Sequence, residues 1–183
     1  MEMRTSILVA LSALALVAFL APAAPAAQHP VIFSQIGWGK IMESDSPSGS
    51  IGFGVGLAYQ FPTSNWGIGA EGSYMNLGSQ DTPAGEASYN TMPITGQVYH
   101  WFPTTGNTHA YLDAGLGFYN TGIEVGSFDD SATDFGFNIG GGLKFGNPTS
   151  SVKFGLDTKL HMIQTEGEST NMLSVFGRIF FGG

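Results

Sequence analysis

The acids Glu71, Asp113 and Asp157 and the bases Lys144, Lys153, Lys159 and Arg178 are the residues of this sequence best placed to do chemistry together. Each lies in a segment of alternating character, on the side that carries glycines and amides instead of large apolar groups, and His109 and His161 share that side. A lone charge enclosed by protein is costly, so these groups are expected to pair and hydrogen-bond across a common interior. Two chemistries fit such a set: a plug of ion pairs, or a narrow or gated path that passes ions along the same charges.

A second acidic set lies in or beside the segments that connect these runs. It comprises Glu43, Asp45, Asp81, Glu86, Glu124, Asp129, Asp130, Glu166 and Glu168, with Asp134 beside them. A solvated face is the expected role. Hard divalent cations choose oxygen ligands, so Mg²⁺ or Ca²⁺ bridging is the sharper expectation, with Asp129-Asp130 the best local pair. No complete calcium-loop spacing is present, and no metal or other cofactor is expected within the protein.

Catalytic motifs are thin. Gly67-Ile68-Gly69-Ala70-Glu71-Gly72 satisfies G-x-G-x-x-G, but it lies within a strand-like run and opens no helix, so a dinucleotide reading fails on context. H-E-x-x-H, G-x-S-x-G and P-loop patterns do not occur. His100 falls on the opposite, apolar side with no evident partner and reads as an interface residue, not a catalytic one. The chain is not expected to be an enzyme.

The elements that must position the charges have a period of two. Strand-like runs span 31–41, 50–61, 66–77, 90–102, 108–120, 133–145, 151–163 and 171–181. The seventh puts Val152, Phe154, Leu156, Leu160 and Met162 on one face and Lys153, Asp157, Lys159 and His161 on the other. In the second, Ile51, Phe53, Val55, Leu57, Tyr59 and Phe61 oppose Ser50, Gly52, Gly54, Gly56, Ala58 and Gln60. Runs of this length exceed ordinary strands of about 5–6 residues and suit a tilted crossing of a bilayer. The large apolar face then meets lipid and the glycines and charges line the interior, the reverse of a soluble barrel. Tight turns at 62–65, 103–107 and 146–150 alternate with longer connections at 42–49, 78–89, 121–132 and 164–170. In this architecture short turns face the periplasm and loops face outward, which places both termini in the periplasm and requires an even strand count.

The N-terminus agrees with export. Arg4 supplies a positive charge, Ile7 to Leu20 form an apolar core broken only by Ser12, and Ala24-Pro25-Ala26 fits a small-x-small cleavage site. Residues 1–26 are expected to be a cleaved Sec signal peptide and 27–183 a single barrel domain. The chain has no Cys, which excludes a lipoprotein anchor and any disulfide. Aromatic residues gather at both strand ends: Phe61, Trp66, Trp101, Phe102, Phe145, Phe180 and Phe181 at the turn end, and Trp38, Tyr74, Phe118, Tyr119 and Phe135 at the loop end. That is the expected pair of interfacial girdles.

The runs Trp66-Gly67-Ile68-Gly69-Ala70-Glu71-Gly72-Ser73-Tyr74, Met92-Pro93-Ile94-Thr95 through Trp101-Phe102, Tyr111-Leu112-Asp113-Ala114-Gly115-Leu116-Gly117-Phe118-Tyr119 and Asp134-Phe135-Gly136-Phe137-Asn138-Ile139-Gly140-Gly141-Gly142 resemble the outer membrane protein β-barrel domain family. Its members are small eight-stranded barrels related to the membrane domain of OmpA and to OmpX. The resemblance covers nearly all of the expected mature chain. It implies an all-β fold, an eight-stranded antiparallel up-and-down transmembrane β-barrel in a Gram-negative outer membrane. It also implies contact with outer-membrane lipid and handling by the barrel assembly machinery, which in this family reads a terminal aromatic residue; the Mg²⁺ or Ca²⁺ expected at the loop acids would bridge them to anionic lipopolysaccharide. Here Phe181 is followed by Gly182-Gly183, a departure from that pattern. No peptidoglycan-binding domain is expected after the barrel. A net charge of −8 argues against nucleic acid as a partner, and a monomer is expected. The expected role is structural or surface-interacting, with an interior closed by salt bridges; the alternative is a small or gated pore.

Overall fold

Where large apolar residues alternate with glycine, the backbone can satisfy its polar groups in lipid only by pairing each strand on both sides, and closure into a barrel does this completely. A computed structural model of the protein describes residues 30–43, 46–83, 85–103, 106–147, 149–165 and 168–182. Residues 1–26, expected above to be a signal peptide, and Asp45 and Glu166 lie outside the described residues. Eight strands follow in order: β1 (Val31–Ile41), β2 (Ser50–Gln60), β3 (Trp66–Thr82), β4 (Gly85–Trp101), β5 (Thr108–Val125), β6 (Phe128–Phe145), β7 (Val152–Thr165) and β8 (Glu168–Phe181). Each pairs antiparallel with its sequence neighbour, and β1 closes on β8 from Ile32↔Phe181 to Ile41↔Met172. Among the described residues no helix is long and apolar enough to cross a membrane.

Three of the four expected outer loops are corrected. Segments 78–89, 121–132 and 164–170 are mostly strand: β3 and β4 pair out to Thr82↔Gly85, β5 and β6 to Val125↔Phe128, and β7 and β8 to Thr165↔Glu168. The periodic signal fades there because both faces of a hairpin standing clear of the bilayer are wet, so polar residues occupy both. Gly126, with φ of 61°, supplies the left-handed turn that reverses β5 into β6. Only the connection 42–49 remains without strand among its described residues.

Face polarity is as expected. Ile36, Phe53 and Phe118 are about 60% exposed, in a belt of outward apolar side chains contributed by every strand. A patch of that extent in water would drive association, whereas lipid is its natural solvent. On the inner face the ladder between β3 and β4 skips from Gly72↔Ile94 to Met75↔Thr91, while β4 and β5 pair straight through Pro93↔Tyr119. Proline has no N–H to donate, and the interruption falls on the side where that donor is missing.

Candidate functional site

Alternation sends Gln35, Glu71, Asp113, Asp157, Lys159 and Arg178, from five different strands, to the same level of the interior, where all are buried. Arg178 is the hub. Its Nη2 donates to both carboxylate oxygens of Glu71 at 3.1 Å, its Nε to Gln35 Oε1 at 2.9 Å and its Nη1 to Tyr111 Oη at 3.2 Å. Asp157 Oδ1 lies 3.0 Å from Nη2, an ion pair without hydrogen-bond alignment, while Asp157 Oδ2 accepts from Tyr111 Oη at 2.8 Å. The guanidinium also stacks over the Phe33 ring, 4.5 Å from its centroid. Lys159 is the second cation: its Nζ donates to Glu71 Oε1 at 3.0 Å and pairs with Asp113 Oδ2. Glu71 takes a further bond from Tyr99 Oη at 2.5 Å. Three carboxylates therefore share two cations through one connected set, the arrangement buried charges need to be tolerated.

Lys144 and Lys153 stand apart from this set. Lys153 is buried nearer the turn end, and Lys144 places its Nζ over the Phe180 ring, 5.3 Å from the centroid. His109 faces Lys144 across the β5–β6 ladder near the same end. His161 lies on the other flank of the ion set and bridges Tyr119 Oη (3.0 Å) and Ser174 Oγ (2.9 Å) through its two ring nitrogens.

The ionic layer is sandwiched. At the turn end Phe33, Ala58, Tyr99, Tyr111 and Phe180 pack together, with Trp101 against them. At the outer end Met75, Leu77, Tyr119, Ile163, Met172 and Phe176 form a second apolar layer. Phe180 and Tyr119 thus point inward and do not belong to the girdles in which the sequence placed them, and Trp101 stacks on the inward Tyr99 with centroids 5.3 Å apart. Parity along β5 and β8 was the signal available: both residues alternate in phase with Asp113 and Arg178. Phe61, Trp66, Phe102 and Phe181, and Trp38, Tyr74, Phe118 and Phe135, are exposed at the two ends as expected.

Inward glycines do not leave space. Six of them receive a large side chain from a neighbouring strand: Phe33 over Gly56, Tyr99 over Gly69, Gln97 over Gly115, Tyr119 over Gly136, Tyr111 over Gly142 and Phe180 over Gly155. A Cβ built on any of these glycines would come within 3.0 Å of that side chain. Two small openings admit the centre of a water molecule, about 10 Å³ beside Glu71, Gln97 and His161 and about 20 Å³ among Phe33, Tyr99 and Phe180. The first has room for roughly one water, and Gln97 Oε1 at its wall has no hydrogen-bond partner in the protein.

The outer acids are not gathered. Glu43 follows β1, Asp81 and Glu86 face each other across β3–β4, and Glu124 and Asp129 do so across β5–β6, with Asp130 opposite Ile123. Glu168 opens β8. Among the described residues no three acidic, histidine or cysteine side chains form a group able to hold a metal ion.

A closed antiparallel barrel with an apolar belt outside and a packed polar layer inside defines an integral outer-membrane β-barrel. Residues 11–176 match the Outer membrane protein beta-barrel domain family, and the chain belongs to that family and resides in the outer membrane. The fold is similar to that of Neisserial surface protein A (TM-score 0.70, 11% identity, 84% of this chain and 97% of that one). It is also similar to the attachment invasion locus protein Ail of Yersinia pestis in complex with the heparin analogue sucrose octasulfate (0.55, 14%, 84% and 99%). The outer membrane enzyme PagL shares the fold as well (0.52, 16%, 81% and 97%). At such identities the likeness concerns the fold alone. No curated protein matches the sequence.

Proposed function

We propose that this protein is a closed outer-membrane barrel that acts through its structure and its external hairpins, and not as a pore or an enzyme. The observation that carries the reading is the three-layered interior, an ion set around Arg178 between two apolar layers, with the glycine gaps occupied by aromatic rings. Reconstituted into planar bilayers, the protein is expected to give no channel events at any voltage. Reproducible unitary conductance would overturn the closed-barrel reading.

PagL makes an enzyme of this fold a real alternative. Against it here, His100, on the lipid face, packs its ring on Trp66 and Phe102, and its Nδ1 has no hydrogen-bond partner among the described residues that could orient or activate it. In this reading export runs through the Sec pathway and removes residues 1–26. N-terminal sequencing of outer-membrane material is then expected to begin near Ala27, and a retained Met1 would refute cleavage.

A further inference from the structure

The ionic layer is one positive charge short. Glu71, Asp113 and Asp157 share Lys159 and Arg178, which leaves one negative charge uncompensated in a packed interior. His161 does not supply the difference. Asn138 Nδ2 donates to Tyr119 Oη at 3.3 Å, so the buried phenol has His161 Nδ1 as the acceptor for its own hydrogen, the pattern of a neutral ring. Lys144 lies toward the turn end with its ammonium over Phe180. An unmatched charge in such a place is costly.

Hydrogen-bond donors are short in the same place. Among the described residues, the buried side-chain atoms of the lumen without a hydrogen-bond partner are Gln97 Oε1, Asp113 Oδ1, Asn138 Oδ1 and Asp157 Oδ1, all of them acceptors. The last keeps its ion pair with Arg178. The other three share one patch of wall. Asp113 pairs with Gly140 and Gly115 with Asn138, so these four residues form a single cell of the β5–β6 ladder, about 5 Å by 7 Å. The Asp113 carboxylate leans over Gly140, where an added Cβ would lie 2.9 Å from Oδ1, and the Gln97 amide crosses from β4 to cover Gly115. Asn138 holds a third corner. The three residues are each at most 3% exposed.

We propose that Asp113 Oδ1, Gln97 Oε1 and Asn138 Oδ1 bind a single Na⁺ ion inside the barrel. One monovalent cation neutralises the layer and gives the three oxygens a partner. Lys159 occupies the other carboxylate oxygen of Asp113, Oδ2, which leaves Oδ1 for the ion. Hard cations take oxygen ligands, and one carboxylate with two neutral amides carries too little charge to draw a divalent ion from its water. A bare Na⁺ is smaller than a water molecule and needs no opening of that size, whereas K⁺ is about as large as one. The opening of about 10 Å³ beside Gln97 has room for a water to complete the oxygen set. The ion is captured as the strands close and stays as part of the interior. This goes beyond the surface role proposed above, and bilayer conductance tests closure separately.

The full-length protein can be refolded from urea into phosphatidylcholine vesicles in the chloride of Na⁺, K⁺ or N-methyl-D-glucamine. Equal ionic strength makes screening the same in all three. The unfolding constant is expected to be about tenfold smaller in Na⁺ than in N-methyl-D-glucamine, with K⁺ between them, the linkage for an ion present at about ten times its Kd. Gln97→Met keeps the bulk but removes one ligand, and is expected to lose most of that difference. Asp113→Asn removes the surplus charge as well, and is expected to fold with equal stability in every salt. The heat-modifiable gel shift checks the fold of each variant, and should one fail to fold, the other carries the comparison. Equal stability of the parent in the three salts overturns the proposal. A Na⁺ effect that survives either substitution also overturns it, because the ion would then sit on the outer acids. An equal effect of K⁺ overturns the assignment to Na⁺.

Discussion

Replacing Arg178 by alanine is expected to lower the stability of the folded barrel by about 3–5 kcal/mol, the range for breaking a buried ion pair by removing one partner. The side chain is 2% exposed and serves Glu71, Asp157, Gln35 and Tyr111 at once. Without it, three carboxylates are left with Lys159 alone, and the Phe33 ring loses its cationic face. Arg178→Lys is not a rescue, because a single ammonium cannot reach both oxygens of Glu71 and Gln35 in the fixed fork geometry of a guanidinium. The measurement is the urea midpoint of folding into lipid vesicles, followed by the heat-modifiable gel shift. A triple variant, Glu71→Gln, Asp157→Asn and Arg178→Met, removes the whole charge set and is expected to recover most of the loss. If the single variant folds as well as the parent, the network contributes little to stability, and the interior holds together by packing.

The second large effect concerns a glycine. A Cβ on Gly142 would lie 2.2 Å from the carbonyl oxygen of Leu156 and 2.5 Å from Tyr111 Oη. The first is backbone in the adjoining strand, and the second is pinned between Asp157 and Arg178, so neither moves freely. Gly142→Ala is accordingly expected to destabilise by about 1–3 kcal/mol, the cost of overpacking. Gly72→Ala is the control. Nothing lies within 4 Å of the added carbon there, and alanine loses less backbone entropy than glycine, so that variant should be neutral or slightly stabilising. Equal midpoints for the two variants would show that the glycine–aromatic contacts carry no strain worth measuring.

These two residues also mark how far the sequence could be read. Arg178 and its partners were legible one at a time, since strand parity sends each inward. That Arg178 and Lys159 divide the acids between them, while Lys144 and Lys153 settle toward the turn end, was not legible. It depends on register between strands separated by up to 107 residues in the chain, as Arg178 and Glu71 are. Tyr99 and Tyr111 went unnoticed as hydrogen-bond donors because a tyrosine near a strand end reads equally well as a girdle residue. That side chains from neighbouring strands fill the space beside the inward glycines was not legible either, because a glycine in a sequence reports a missing side chain and says nothing of the neighbour that fills the gap.

By itself the sequence determined the strand number, the inside and outside faces and the closure into a barrel. They follow from a period of two, the length of the runs, the polarity of their two faces and turn chemistry, all of which are local. Only the tertiary structure decided which charges meet, that aromatic rings occupy the glycine gaps, and that the supposed outer loops are hairpins. Those features arise where side chains from distant strands compete for the same interior, and where paired strands run on beyond the bilayer, which no single segment encodes.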